Sequence, residues 1–229
     1  MKKKTSEILI YLIGAILSIL VSWYILDSLW LAIAYCIAVM IGIMFLLKQN
    51  KKNLEFYHNI DASYEFVNLM NVQMLSTTNI YEAYQSIENY IDVEFSNISN
   101  EDLCNQLLEI ANNYNLNAFK MYVNTIQIYD NDGGNYKNMQ EIPTSLCQNT
   151  KVYYHKLKSS KFYKLIEITS LFMLWICILL FLKISIPDYY QSMMQNITYQ
   201  IIMLCVLLVG SFFYYLTFME YLKNKIRGL

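Results

Sequence analysis

Residues 8–47 read ILIYLIGAILSILVSWYILDSLWLAIAYCIAVMIGIMFLL, two apolar runs parted only by Asp27 and Ser28. A helix needs roughly 20 apolar residues to cross the hydrocarbon core of a bilayer. Runs 8–26 and 29–47 are both of that order, so they read as a hairpin of two spans joined by a very short turn. Two further runs stand near the other end of the chain, at about 165–186 and 199–219. The chain has 229 residues, 56% of them hydrophobic, more apolar residue than a soluble core of this size needs. The expectation is an all-α polytopic membrane protein with four transmembrane helices. The first run follows Lys2, Lys3 and Lys4 but is too long for a signal peptide, lacks a small-residue cleavage site and leads at once into a second run. It reads as a retained span.

Lysine placement sets the expected orientation, because cationic residues collect on the cytoplasmic side. Lys2–Lys4 precede the first run and Lys48, Lys51 and Lys52 follow the second. Lys156, Lys158, Lys161 and Lys164 precede the third, and Lys223, Lys225 and Arg227 follow the fourth. Only Lys183 lies near an end on the other side. Both termini and the central segment are therefore expected in the cytoplasm, with the chain in a cell (inner) membrane. The outer face would carry the Asp27 turn and a short loop at about 187–198. Trp23, Trp30, Tyr189 and Tyr190 would lie at the outer interface. The organisation is an N-terminal hairpin over 1–47, a cytoplasmic helical domain over 48–164, and a C-terminal pair with a short tail over 165–229.

The net charge of −1 speaks against nucleic acid as a partner. Five cysteines form no C-x-x-C pair, and His58 and His155 stand alone, so no disulfide framework or metal site is indicated. No phosphate-binding loop, nucleophile elbow, zinc-protease or kinase signature occurs. The reading is of a protein that is not an enzyme, with no catalytic residue, cofactor or metal. Glu167, about one turn into the third run, is an intramembrane polar residue suited to helix packing more than to an ion path, which would need charges nearer mid-membrane.

In the central segment the periodicity is helical. Leu54, Tyr57, Ile60, Tyr64, Val67, Asn71 and Met74 form one stripe. Asn79 caps the next helix, with Glu82 three residues on as in a capping box, and Ile80, Ala83, Tyr84, Ile87 and Ile91 lie on its apolar face. A polar stretch at 94–100 reads as loop, and Ser99 with Asp102 as another helix start. Leu103, Leu107, Ile110, Ala111 and Tyr114 follow, then Leu116, Phe119, Val123, Ile126 and Tyr129. Beyond the turn, Tyr136, Met139, Ile142, Leu146, Tyr153 and Leu157 form a stripe that Pro143 either kinks or opens as the first turn. Between the last two helices stands DNDGGNYKNM, residues 130–139. Gly133 and Gly134 suit a helix C-cap and a close corner, and Asn135 suits the same turn. The segment reads as a compact all-α bundle.

These residues carry a resemblance. MLSTTNIYEAY, residues 74–84, is similar to the L-x-x-G-x-x-L-x-x-A-L pattern of the F-domain inner-membrane platform proteins of type II secretion, type IV pilus and tight-adherence (Tad) systems. Ile80 and Ala83 match, and Thr77 stands where glycine is common. Gly133, Gly134 and Asn135 match that family's GG-N turn, with Tyr136 in place of leucine. The resemblance covers about residue 63 to the end of the fourth run, and the layout resembles the single-F-domain Tad branch. It implies a platform subunit that contacts a cytoplasmic hexameric secretion ATPase, a second F-domain protein or another copy of itself, pilin or pseudopilin helices, and the lipid bilayer. Gly14, Gly42 and Gly210 are candidate close-approach points, between subunits or within the chain. The competing expectation is a membrane-anchored signalling or regulatory protein with a helical cytoplasmic sensor.

Overall fold

A computed structural model describes residues 2–77, 79–96, 98 and 103–223, with side chains from residue 12 onward. Every described element is a helix: α1 Lys2–Leu26, α2 Leu29–Thr77, α3 Ile80–Ile87, α4 Val93–Ser96, α5 Leu103–Tyr114, α6 Asn117–Asp132, α7 Tyr136–Ser185, α8 Pro187–Met194 and α9 Ile197–Leu222. The chain is all-α among the described residues. It divides into two compact units, one of Met1–Lys52 with Lys161–Asn224 and one of Asn53–Ser160. Helices α2 and α7 contribute residues to both.

In the first unit, α2, α7 and α9 are long and apolar enough to cross a membrane. The expected fourth span is not among them. The described apolar part of α1 is Leu12–Leu26, shorter than the roughly 20 residues a span needs, so three such helices are counted among the described residues. The core of this unit is small: Ile25, Leu26, Tyr35, Leu179 and Leu207 are buried, with Trp175 and Val39 packed against them. Many large apolar side chains point outward, Phe181 67% and Phe213 63% exposed among them, the surface a lipid solvent leaves. The α1–α2 turn closes on Asp27 in the left-handed region at φ 51°, which a short polar side chain tolerates. Lys183 donates to the Asp27 carboxylate at 2.6 Å and to the Tyr24 carbonyl. Tyr190 donates to the Ile25 carbonyl at 2.5 Å. The segment expected as an outer loop folds into α8, because Pro187 opens it at a position where the missing N–H costs nothing.

In this unit the span glycines serve packing within the chain. A Cβ on Gly210 would sit 2.4 Å from the Trp175 ring, one on Gly14 2.8 Å from Ile43, and one on Gly42 3.7 Å from Tyr215.

The second unit is a helical bundle with a single aromatic-rich core. Phe66 stacks on Phe95 at 4.8 Å between ring centroids, and Phe119 meets both edge-on at 6.1 and 5.7 Å. Tyr114 closes the cluster against Phe95 at 5.8 Å. The polar stretch expected as loop supplies one of these rings. Within it α4 turns Phe95 inward, and Tyr84 secures the segment by donating to the Phe95 carbonyl at 2.6 Å and accepting from the Ile98 N–H at 3.3 Å. The Ser99–Asp102 start signal lies outside the described residues. Two stripes shift. Leu54 is exposed, while Phe66 and Met70 are fully buried on α2. On the part of α7 in this unit the buried residues are Tyr136, Pro143, Cys147 and Tyr154, and the expected Ile142, Leu146 and Tyr153 are exposed. Pro143 lies eight residues into α7 and is therefore not its first turn.

Candidate functional site

The two motifs that carried the family resemblance meet at one end of the second unit. Helix α2 ends on Thr77, whose hydroxyl bonds back to the Gln73 carbonyl at 3.1 Å. Asn79 then adopts an extended conformation as N-cap of α3, and its side-chain oxygen accepts from the N–H groups of Tyr81 at 2.9 Å and Glu82 at 3.4 Å. That satisfies two of the donors a helix start leaves orphaned. Glu82 is exposed in the first turn, where its charge suits the positive end of the helix dipole. Ile80 and Ala83 are buried in the core.

Helix α6 ends about fifty positions later beside this start. Tyr81 donates to the Asp130 carboxylate at 3.2 Å, joining the first turn of α3 to the last turn of α6. Cys104 donates to the same oxygen at 3.8 Å, so burial together with Asp130 pushes its thiol up to about 11 and keeps it protonated. Directly after α6 the chain reverses. Gly133 has φ 70° and ψ −158°, a region populated almost only by glycine, and its N–H reaches the Tyr129 carbonyl at 2.9 Å. Gly134 has φ 122°, and a Cβ there would stand 3.3 Å from the Met139 sulfur. Asn135 opens α7: its carbonyl accepts from Asn138 at 3.1 Å and Met139 at 3.2 Å, and its side-chain oxygen from Asn138 at 3.4 Å.

Behind the corner lies a polar network that sequence reasoning missed. Asn71 of α2 sits 7% exposed, and its side-chain oxygen accepts from Tyr136 at 2.6 Å and Tyr122 at 2.9 Å. The two tyrosine hydroxyls are also 2.9 Å apart. Two hydroxyl protons thus serve three short contacts, so the trio shares them. The Asn71 amide donates to Thr144 at 2.8 Å, which donates on to Gln140 at 2.6 Å. This ties the first turns of α7 to α2 and α6 directly behind the glycine pair. Burial pushes Tyr136 up to about 12 and Tyr122 well above its ordinary value. The only signal in the sequence was an asparagine inside an apolar stripe.

Glu167 belongs to the first unit, where it is exposed on α7. Among the described residues no group of three or more His, Cys, Asp or Glu could hold a metal ion. The arrangement offers shape and hydrogen-bonding groups.

No protein-family model, curated protein or solved structure matches the chain.

The glycine corner yields a direct test. Gly134→Val places a β-branched residue at a φ that L side chains rarely adopt and crowds Met139. It is expected to cost about 1–3 kcal/mol, the strain such a conformation stores. Thermal unfolding of the full chain in detergent, followed by circular dichroism, reads it. An unchanged midpoint would mean the chain does not turn through this conformation.

Proposed function

We propose that the protein is an integral membrane platform subunit of a type II secretion or Tad-like type IV pilus machine. On this reading it is a multi-pass protein of the cell membrane with the second unit in the cytoplasm. It couples a hexameric secretion ATPase to pilin or pseudopilin assembly and performs no chemistry. It works beside a second F-domain protein or another copy of itself. The observation that supports the reading best is the meeting of the two family-like motifs at one end of an all-helical unit, through Tyr81 and Asp130. Its uninterrupted helices α2 and α7 each begin or end in an apolar stretch. A force applied to the second unit would then pass along α7.

In-cell cross-linking and mass spectrometry on the full chain tests the partners. Recovery of a secretion ATPase attached through 48–164 supports the reading. Pilus components detected in the same cells but never cross-linked, with a kinase recovered in their place, would favour the regulatory alternative. A short Gly-Ser insertion between Ser159 and Ser160 is expected to abolish assembly and leave membrane insertion intact. Full assembly by that variant would reject α7 as the coupling element.

A further inference from the structure

We infer that the lysine-bearing end of the first unit is a binding surface for anionic glycerophospholipid headgroups. The inference rests on the reading that this unit spans a bilayer. Three helices bring cations to one edge. Tyr35 of α2 and Ser211 of α9 are hydrogen-bonded at 2.6 Å, and Gly42 faces Tyr215, so the two helices advance side by side in the same direction. At 1.5 Å per residue, Lys48, Lys51 and Lys52 reach the level at which α9 ends on Lys223. Helix α7 runs the opposite way, with Phe172 stacked on Tyr214 at 4.6 Å and Thr169 3.2 Å from the Tyr214 hydroxyl. Its residues Lys161 and Lys164 therefore arrive at the same edge. The Lys161 ammonium donates to the Lys223 carbonyl at 2.9 Å, and the Lys164 ammonium stands 5.9 Å from the Tyr221 ring centre.

The edge is unbalanced in sign. Segments 48–52 and 161–164 contain no acidic residue. Lys48, Lys51, Lys52 and Lys164 are exposed. Acidic residues lie about a turn from these lysines, at Glu55, Glu167 and Glu220, fewer than the six lysines Lys48, Lys51, Lys52, Lys161, Lys164 and Lys223. The cations alternate with aromatic side chains in the stretch Lys161-Phe162-Tyr163-Lys164, where Phe162 is 61% and Tyr163 69% exposed. Exposed rings beside lysines at the end of an apolar helix are the composition of a bilayer interface, with the rings among the headgroups and ammonium groups at the phosphates. An acidic protein partner would need the cations but gives no role to two outward aromatic rings at this depth. Lipid phosphate satisfies both.

The test reconstitutes the full chain with trace spin-labelled phosphatidylglycerol or phosphatidylcholine and measures the fraction of each label that the protein immobilises. Wild type is expected to prefer phosphatidylglycerol by at least about fivefold, roughly what one lysine at an anionic surface supplies. The preference should fall with added salt and disappear in K48Q/K51Q/K52Q/K164Q. It should persist when the same four positions carry arginine, and an unchanged helical circular dichroism spectrum of the glutamine chain checks that it has lost charge and not its fold. Equal immobilisation of both lipids by wild type, or an undiminished preference in the glutamine variant, would overturn the inference. Failure to immobilise even phosphatidylcholine would instead overturn the membrane-spanning reading beneath it.

Discussion

Phe119→Ala is expected to destabilise the second unit by about 3–5 kcal/mol, the range for truncating a fully buried aromatic ring. Phe119 is 1% exposed and touches rings from three other elements: Phe66 of α2, Phe95 of α4 and Tyr114 of α5. Alanine removes a ring from the centre of that cluster. The neighbours cannot close the space cheaply, because each is fixed by a second contact. Phe66 is stacked on Phe95, Tyr114 donates to Glu94 at 2.6 Å, and the Phe95 carbonyl holds Tyr84. Phe119→Leu retains most of the volume and should cost less than half as much. Chemical denaturation of the full chain, read by far-ultraviolet circular dichroism, measures both. A loss below about 1 kcal/mol for the alanine variant would show that α4 collapses onto α6 and that the aromatic cluster is not a packed core.

That cluster also marks how far the sequence could be read. The helices were legible because apolar residues recur at three- and four-residue steps, and the breaks at Thr77–Asn79 and Asn115 carry residues with the right local chemistry. Phe95 was invisible for a physical reason: a helix of four residues, flanked by Glu94 and Ser96, has no period to detect. The shift on α7 has another cause. Ile142, Leu146 and Tyr153 and their neighbours Pro143, Cys147 and Tyr154 have the same spacing, one residue apart. Hydropathy favours the first set, whereas contact with α2 selects the second. Tyr154 packs edge-on against Phe56 at 5.1 Å, and His155 beside it pairs with Asp61 at 2.8 Å. Motif residues were individually readable, but the pairing of Tyr81 with Asp130 that joins two of them depends on the tertiary fold.

The largest polar effect is expected at Asn71. Asn71→Leu fits the apolar stripe of α2 and is close in volume, so on packing alone it would be nearly neutral. The network predicts otherwise. Leucine leaves Tyr122 and Tyr136 with two hydroxyl protons and only each other as acceptors in a buried site, and takes the amide from Thr144. A buried hydroxyl without a partner costs about 1–3 kcal/mol, so a loss of about 2–5 kcal/mol is expected. The damage should centre on the start of α7, because Tyr136 is its first residue and anchors the glycine corner. Replacing the hydroxyls as well, in N71L/Y122F/Y136F, removes the orphaned groups and should recover much of the loss. A triple variant no more stable than the single one would mean that Asn71 acts through shape and not through hydrogen bonding. Alkaline titration offers an independent reading. With Tyr136 raised from 10 to about 12, the unfolded chain ionises first, so the stability from keeping this hydroxyl neutral is whole below pH 10 and is lost as pH rises through about 12. Wild type should therefore unfold over that interval more steeply than Tyr136→Phe, with the difference between the two chains growing as the pH rises.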